Sequence, residues 1–395
     1  MSRATSIPQP AGADQPPNEA EAQSPSVRII DARTAIDELI FAEDPWYALP
    51  LERQRELSDA LIRQALREHL ERCPSYRDYY ARSGAAEPGA VALADIPLVS
   101  TRVFKFADLR SVEAHEVERW YRSSGTSGQP SRVPRDRASL ERMVGSVHGS
   151  VGLLADWDED EVAVINLGPG REHVEDVWFQ YVMSLIEALY RSESRVPRDE
   201  AALDEIIGLA QSLLDDYEHL IVVGPPFHVL DLCEHMQRRG VELQAGEGAT
   251  ILTAGGWKRF GGRAIPKQEF RAVVARQFGL RGEGQVRDVF NQVELNTVLF
   301  ECEAHEKHVP PWVHVAARDP ETLQPVPEGE EGMLSYLDAS CSAYPCFIVT
   351  EDVGVVRRGR CACGREGTRV DVLRRLESRA AKGCALKMGQ IHANG

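Results

Sequence analysis

No apolar run in this chain reaches the length of a membrane-spanning helix, and the N-terminus has no hydrophobic stretch of the kind a secretory signal carries. These absences lead us to expect a cytoplasmic location with no membrane span. A surplus of positive charge is also missing: 45 Lys and Arg stand against 61 Asp and Glu, a formal net charge of −16. Proteins whose main task is to hold a polyanion usually present net basic faces, so nucleic acid is not the expected partner. The G-x-x-x-x-G-K-[ST] spacing of a Walker A loop is absent. No internal repeat is visible. Residues 1–26 have little apolar content beyond Ala, cannot bury enough surface to order themselves, and read as a disordered tail.

What remains is ordinary globular material. A chain of 395 residues, 43% hydrophobic and 27% charged, holds one large α/β domain or two smaller ones. Eight cysteines in a large chain without a secretion signal are not a disulfide framework. Five of them follow residue 340, which points to chemistry or metal at that end. The same end is locally basic, from Arg357, Arg358, Arg360, Arg365 and Arg369 through Arg374, Arg375, Arg379 and Lys382. Such a run is either a solvated face or a rim around phosphates or a docked partner.

Helical periodicity marks 33–41 and 51–72, where Leu57, Leu61, Ala65, Leu66 and Leu70 recur on one face, and Tyr76, Tyr79 and Tyr80 mark a further short helix. Strands then alternate with helices. Strands are expected at 162–165, 219–223, 249–253 and 286–290, and helices at 174–190, 201–216, 227–239 and 268–278. Gly and Pro close the strand ends, the signature of an α/β sheet with helices on both faces, whose ligands bind beyond the strand C-termini. After Trp312 short strands dominate and imply an antiparallel β subdomain.

Tyr121 to Ser131 reads YRSSGTSGQPS. The glycines let the backbone approach an anion, and Ser123, Ser124, Thr126 and Ser127 add hydroxyl donors. Composition alone also suits a mobile surface loop. Flanked by a strand at 117–121 and a helix at 138–151, the run instead sits on a strand–loop–helix unit. Two acids follow at expected strand ends, Glu294 and Asp352. Cys302, His308, Cys361 and Cys363 are residue types that zinc favours in a closed, structural site, with His305 as competitor to His308. Reduced buried cysteines beside exposed histidines would give the same pattern. Cys384, between Lys382 and Lys387 on a Gly-hinged tail, has the nearby positive charge that lowers a thiol pKa, or is an idle exposed Cys.

The Ser/Gly run resembles the S-S-G-T-[TS]-G-x-P phosphate loop of the acyl-adenylate-forming ligases, with Ser131 where a basic residue usually follows and Arg132 beside it. Phe290-Asn291-Gln292-Val293-Glu294 resembles the family's Y-G-x-T-E element, and Thr350-Glu351-Asp352-Val353-Gly354 its T-G-D-[LIV]-G element with Glu for Gly. Several further segments narrow the likeness. They include Gly224-Pro225-Pro226, Leu252 to Lys258, Lys307 to Val313, Cys361-Ala362-Cys363-Gly364-Arg365 and Gly383-Cys384. Together they resemble the LuxE-type acyl-protein synthetases, on the phenylacetate-CoA ligase branch. That resemblance implies the N-terminal-domain fold of the adenylate-forming ligases: layered α/β sheets with a small C-terminal β subdomain and too few residues after Asp352 for a full lid. It divides the chain into an adenylation core (27–300), a β subdomain with the candidate zinc site (301–372) and a tail (373–395). It implies ATP and Mg²⁺ as cofactors; a structural Zn²⁺ rests on the Cys and His residues alone. Ser123, Ser124, Gly125, Thr126, Ser127 and Gly128 would hold phosphates, Gly255 and Gly256 would face adenine, and Asp352 would bind ribose. Glu294 would hold Mg²⁺, Cys384 would accept the acyl group, and Lys258, Lys382 or Lys387, or a partner, would stand in for a lid lysine. The implied reaction activates a carboxylic acid as acyl-AMP and passes it through Cys384 to a partner, typically an acyl reductase. Direct transfer to an amine or coenzyme A, or a non-catalytic scaffold, are the rival readings. The segments expected to line the acid pocket, 165–180 and 224–232, carry no diagnostic charge or aromatic pattern.

Overall fold

The computed structural model describes residues 35–124, 129–155 and 157–376, without the side chains of Glu159, Lys258 and Arg259. The tail expected at 1–26 lies outside the described residues.

Three helices come first: α1 (Ala35–Ile40), α2 (Leu51–Arg72) and α3 (Pro74–Ser83). On α2 the residues Leu61, Ile62, Ala65, Leu66 and His69 are buried, one stripe at helical spacing. Gly84 ends α3 at φ 74°, a left-handed cap that a Cβ would strain. The short β1 (Val99–Ser100) follows. Then β2 (Val117–Arg122) and β3 (Arg132–Asp136) pair as an antiparallel hairpin around the Ser/Gly run. The expected strand–loop–helix unit is therefore strand–loop–strand–helix. Pro134 within the sequence of β3 argues against a strand, and it is tolerated because this two-stranded sheet has only edges. Asp136 caps α4 (Arg137–Val151) by accepting from the Ser139 N–H at 3.1 Å.

The central sheet is built from β4 (Val162–Asn166), α5 (Trp178–Ser184), β5 (Arg191–Ser194), α6 (Glu200–Asp216), β6 (His219–Gly224), α7 (Pro226–Arg239), β7 (Ala249–Ala254), α8 (Lys267–Gln277), β8 (Val286–Phe290) and β9 (Leu299–Phe300). Its strand order is β5-β4-β6-β7-β8-β9, parallel except for β9. The helix expected over 174–190 shortens to α5 and a 3-10 turn at 185–188. β4, β6 and β7 are buried along their whole length, as parallel strands covered on both faces must be. Their side chains alternate between two cores. Ala163, Ile165, Leu220, Val222 and Ile251 pack with α6, α7 and α8. Val162, Val164, Ile221, Val223 and Leu252 face the larger core shared with the N-terminal helices and the second sheet.

That second sheet contains β10 (Lys307–Val309), β11 (Val313–Arg318), β12 (Glu331–Asp338), β13 (Phe347–Arg360) and β14 (Glu366–Arg375) in the order β10-β14-β13-β12-β11, with β1 parallel to β13. The segment 302–311 is thus not a free loop: His308 pairs with Arg369 across β10 and β14. The described part of the basic run covers the end of β13, the turn and β14. Arg357, Arg358, Arg365, Arg374 and Arg375 pair with Glu306, Glu328, Glu303, Glu331 and Glu351, which favours the reading of a solvated, acid-balanced face. Arg379 and Lys382 lie outside the described residues.

Candidate functional site

The parallel strands β6, β7 and β8 end on one edge of the central sheet, and their following loops carry Gly224, Gly255-Gly256 and Glu294. This is the edge where an open α/β sheet binds its ligands. Gly255 has φ 72°, and a Cβ there would lie 2.7 Å from the Phe179 ring of α5. Both the left-handed backbone and the close approach therefore require glycine. The side chain of Lys258 lies outside the described residues.

The base of the Ser/Gly run is closed by two hydrogen bonds. The Ser123 N–H donates to the Ser131 carbonyl at 3.0 Å, and the Ser131 N–H to Ser123 Oγ at 3.1 Å. Gly125, Thr126, Ser127 and Gly128 lie outside the described residues, while Ser124 is exposed at the start of the run. Gln129 Nε2 donates to the Lys105 carbonyl at 2.7 Å. Arg132 stacks over Trp120, 5.1 Å from the ring centroid, and so is turned to the outside of the hairpin.

Glu294 is 6% exposed. Burial raises its pKa, and the Ser131 hydroxyl and the charges of Arg375 and Arg135 oppose the rise. Ser131, the departure from the family's basic residue, is thus the group that meets Glu294. Asn291 braces the same loop by donating to the carbonyls of Leu295 (3.1 Å) and Thr297 (2.8 Å) and accepting from Trp178 Nε1. Asp352 lies within β13 beside a register shift at Val353–Gly354, the kind of irregularity that re-aims a side chain. Burial raises its pKa too, with Arg375 lowering it. Arg375, the strand partner of Asp352 across β13 and β14, lowers the pKa of both candidate carboxylates.

Two residues of the segments expected to line the acid pocket, Trp178 and Phe227, pack on aromatic rings from outside them. Tyr121, Trp178 and Tyr181 form a cluster with centroid separations of 4.9–5.4 Å, and Phe227 packs on Phe260 at 4.5 Å.

A second constellation lies at the β13–β14 turn. One ligand atom each from Cys302, His308, Cys361 and Cys363 falls within 4.8 Å of the others. Cys302 Sγ and Cys361 Sγ are 3.8 Å apart, and Cys363 Sγ lies 3.4 Å from His308 Nε2. Zinc bonds of about 2.3 Å to sulfur and about 2.0 Å to nitrogen give tetrahedral edges of roughly 3.8 and 3.5 Å, so the donor set fits that ion. His308 is pushed down to about 4 by burial and by Arg365 and Arg369, which keeps it a neutral donor. His305 stands apart at φ 61°, with Nδ1 3.5 Å from Glu301. Cys384 lies outside the described residues.

Two buried cations were not evident from sequence. Lys307 Nζ lies 2.8 Å from Asp288 and 3.0 Å from Glu301, joining the second sheet to the first. Arg135 grips the Glu294 loop. Each stands in a polar stretch that reads as surface, and each has partners distant in sequence, Asp288 for Lys307 and Val293, Leu295 and Tyr344 for Arg135.

A central parallel sheet, its strand-end loops and the carboxylate carried there define an acyl-adenylate-forming ligase fold. An open conformation of 2-hydroxyisobutyryl-CoA ligase, in complex with 2-HIB-AMP and CoA, matches with TM-score 0.63 at 14% identity, over 84% of this chain and 77% of that one. Within that class the chain belongs to the LuxE acyl-protein synthetase family, whose model matches residues 26–393. It is 42% identical to the long-chain-fatty-acid–luciferin-component ligase of Aliivibrio fischeri over 92% of this chain and 95% of that one. Identity to the Vibrio harveyi ligase of the same name is 39%, over 91% and 94%. A phenylacetate-coenzyme A ligase of Thermus thermophilus is 25% identical over 82% and 70%. The chain is accordingly a ligase. No helix among the described residues is long and apolar enough to cross a membrane.

Proposed function

We propose that this enzyme activates a long-chain fatty acid with ATP and passes the acyl group through Cys384 to a partner protein, an acyl reductase. The observation that carries this is that β7 and β8, whose following loops bear Gly255 and Glu294, end together on one edge of the central parallel sheet. The acid class follows the names of the two 39–42% identical relatives.

In the first step a carboxylate oxygen attacks the α-phosphorus of ATP. An O–P bond forms, the α–β anhydride bond breaks, and pyrophosphate leaves. Donors of Ser123 and Ser124 at the loop's start face the phosphates, and Asp352 accepts from the ribose hydroxyls. Glu294 fits Mg²⁺ by donor chemistry, a hard carboxylate oxygen completed by substrate phosphates, and Mg²⁺ supplies charge neutralisation there when bound. In the second step the Cys384 thiolate, its proton given up to solvent, attacks the acyl carbon. A C–S bond forms, the C–O bond to AMP breaks, and AMP leaves. The acyl-enzyme then delivers the acyl group to the partner.

Pyrophosphate release that depends on a long-chain acid, with an acyl mass adduct on Cys384, is the expected result. Cys384→Ser is expected to keep pyrophosphate release and lose the adduct. Unimpaired acyl transfer by that variant would favour direct transfer to an amine or coenzyme A, and failure to bind ATP would favour a scaffold. The Cys302, His308, Cys361 and Cys363 set is proposed to hold a structural zinc that pins β10 to the β13–β14 turn. Metal analysis of the purified protein tests it: absence of zinc with all four side chains freely reactive would end the assignment.

A further inference from the structure

We infer that Arg135 is a positioning residue for Glu294, fixing the geometry in which that carboxylate meets the phosphate loop. The inference rests on the proposed role of Glu294 as the Mg²⁺ and phosphate carboxylate.

Arg135 is 0% exposed. Its Nη2 donates to the Val293 carbonyl at 2.8 Å and to the Leu295 carbonyl at 3.5 Å. These carbonyls belong to the residues on either side of Glu294, so one nitrogen of the planar guanidinium holds the backbone before and after it while the other is fixed by Tyr344 and Pro134. Its Nη1 donates to Tyr344 Oη at 2.7 Å and to the Pro134 carbonyl at 3.2 Å. The guanidinium lies over Trp178 at 4.4 Å and Tyr344 at 5.0 Å from the ring centroids, which leaves it little room to turn. Its Nε is buried without a hydrogen-bond partner.

This is a poor way to stabilise a fold. A buried cation answered by carbonyls, a phenol and rings, with no carboxylate among its hydrogen-bond partners, gains less than a well-packed apolar side chain would. What it supplies is placement. Arg135 lies on β3 four residues after Ser131, which closes the base of the phosphate loop with Ser123 and lowers the Glu294 pKa. The strand that leaves the loop base therefore holds the backbone flanking Glu294. Hairpin and strand-end loop move as one unit, and Glu294 keeps a constant relation to the phosphate loop. A lysine retains the charge but is a point donor that cannot match the fork.

The test uses Arg135→Met and Arg135→Lys in the full chain, with Glu294→Gln as reference. Hydrogen exchange of residues 291–297 is measured without ligands, and Mn²⁺ binding by electron paramagnetic resonance with a non-hydrolysable ATP analogue. We expect faster exchange across 291–297 in both arginine variants, and Mn²⁺ affinity down by about tenfold in Arg135→Met, the scale of losing a residue that orients a metal ligand. Arg135→Lys should fall between that variant and wild type, and it keeps the test open if Arg135→Met does not fold. Wild-type exchange and Mn²⁺ affinity in the arginine variants, with Glu294→Gln weakened, would overturn the positioning role alone. Unchanged Mn²⁺ binding in Glu294→Gln would overturn the reading of Glu294 and the inference with it.

Discussion

Lys307→Met should cost about 3–5 kcal/mol of stability, the range for removing one partner of a buried ion pair. Lys307 and Glu301 are each 1% exposed on their side chains and 3.0 Å apart, and Asp288 lies 2.8 Å from the same ammonium. Methionine replaces the stem with little change in volume, so the loss comes from stranded charge rather than a cavity. Two features place the value near the lower end. Glu301 keeps Arg271 at 3.3 Å and the Asp288 N–H at 2.9 Å. Asp288 is 34% exposed and can turn to water. The double variant Lys307→Met/Glu301→Gln should recover part of the loss, because the stranded carboxylate is gone. Adjacent strand residues point to opposite faces, so Lys307 and the metal-site residue His308 act separately. Urea unfolding midpoints, taken with and without a chelator, are the assay, and the difference between single and double variants should persist in both. A loss below about 1 kcal/mol for Lys307→Met, the size of an ordinary surface change, would refute the reasoning. So would a double variant no more stable than the single one.

His69 is buried against Ser111 at 2.8 Å, and burial pushes its pKa down to about 4. The unfolded chain binds that proton more readily, so its contribution to stability is complete above about pH 6.5 and is lost as pH falls toward 4, the loss reaching about 2 kcal/mol by pH 5. His69→Asn should flatten the pH dependence of the unfolding midpoint over that window; parallel profiles for variant and wild type would contradict it. Gly255→Ala should destabilise by about 1–3 kcal/mol, from the left-handed backbone and contact with Phe179. Adding Phe179→Ala should return the steric part, as read by thermal unfolding, and an unchanged loss would mean that backbone strain alone is responsible.

The long periodic elements were legible in the sequence because local pattern and tertiary burial agree. α2 has the expected bounds, and the four central strands fall where the apolar runs are. The missed strands share a cause. β3 contains Pro134, β5 is Arg-Ser-Glu-Ser on the sheet edge, and β14 carries arginines that mask the alternation of Val370 and Val372. β3 and β5 are edge strands and β14 lies between β10 and β13, but each is held by pairing partners that its local sequence does not reveal. The metal-site candidates were found by residue type, although Cys361-Ala362-Cys363 is shorter than the usual spacing. The structure supplies the reason: one turn presents both of these cysteines, while Cys302 and His308 come from a different hairpin. Spacing within a pair therefore need not match a single ligand loop.

The C-terminal departures from the family pattern also acquire a physical role. Glu351 replaces the usual glycine beside Asp352 and pairs with both Arg102 and Arg375. The Leu376 N–H donates to the Glu351 carbonyl at 2.8 Å. The chain thus leaves β14 anchored one residue from Asp352, with Arg375 acting on both candidate carboxylates. Cys384 lies eight residues beyond Leu376, a tether that spans at most about 29 Å when fully extended. Under the proposed function, the acyl-accepting thiol is therefore tied by a short tether to the place where acyl-AMP would form. A short tether raises the effective concentration of its end group at a site within its reach. The Glu351 ion pairs hold the end of β14, the point from which this tether starts.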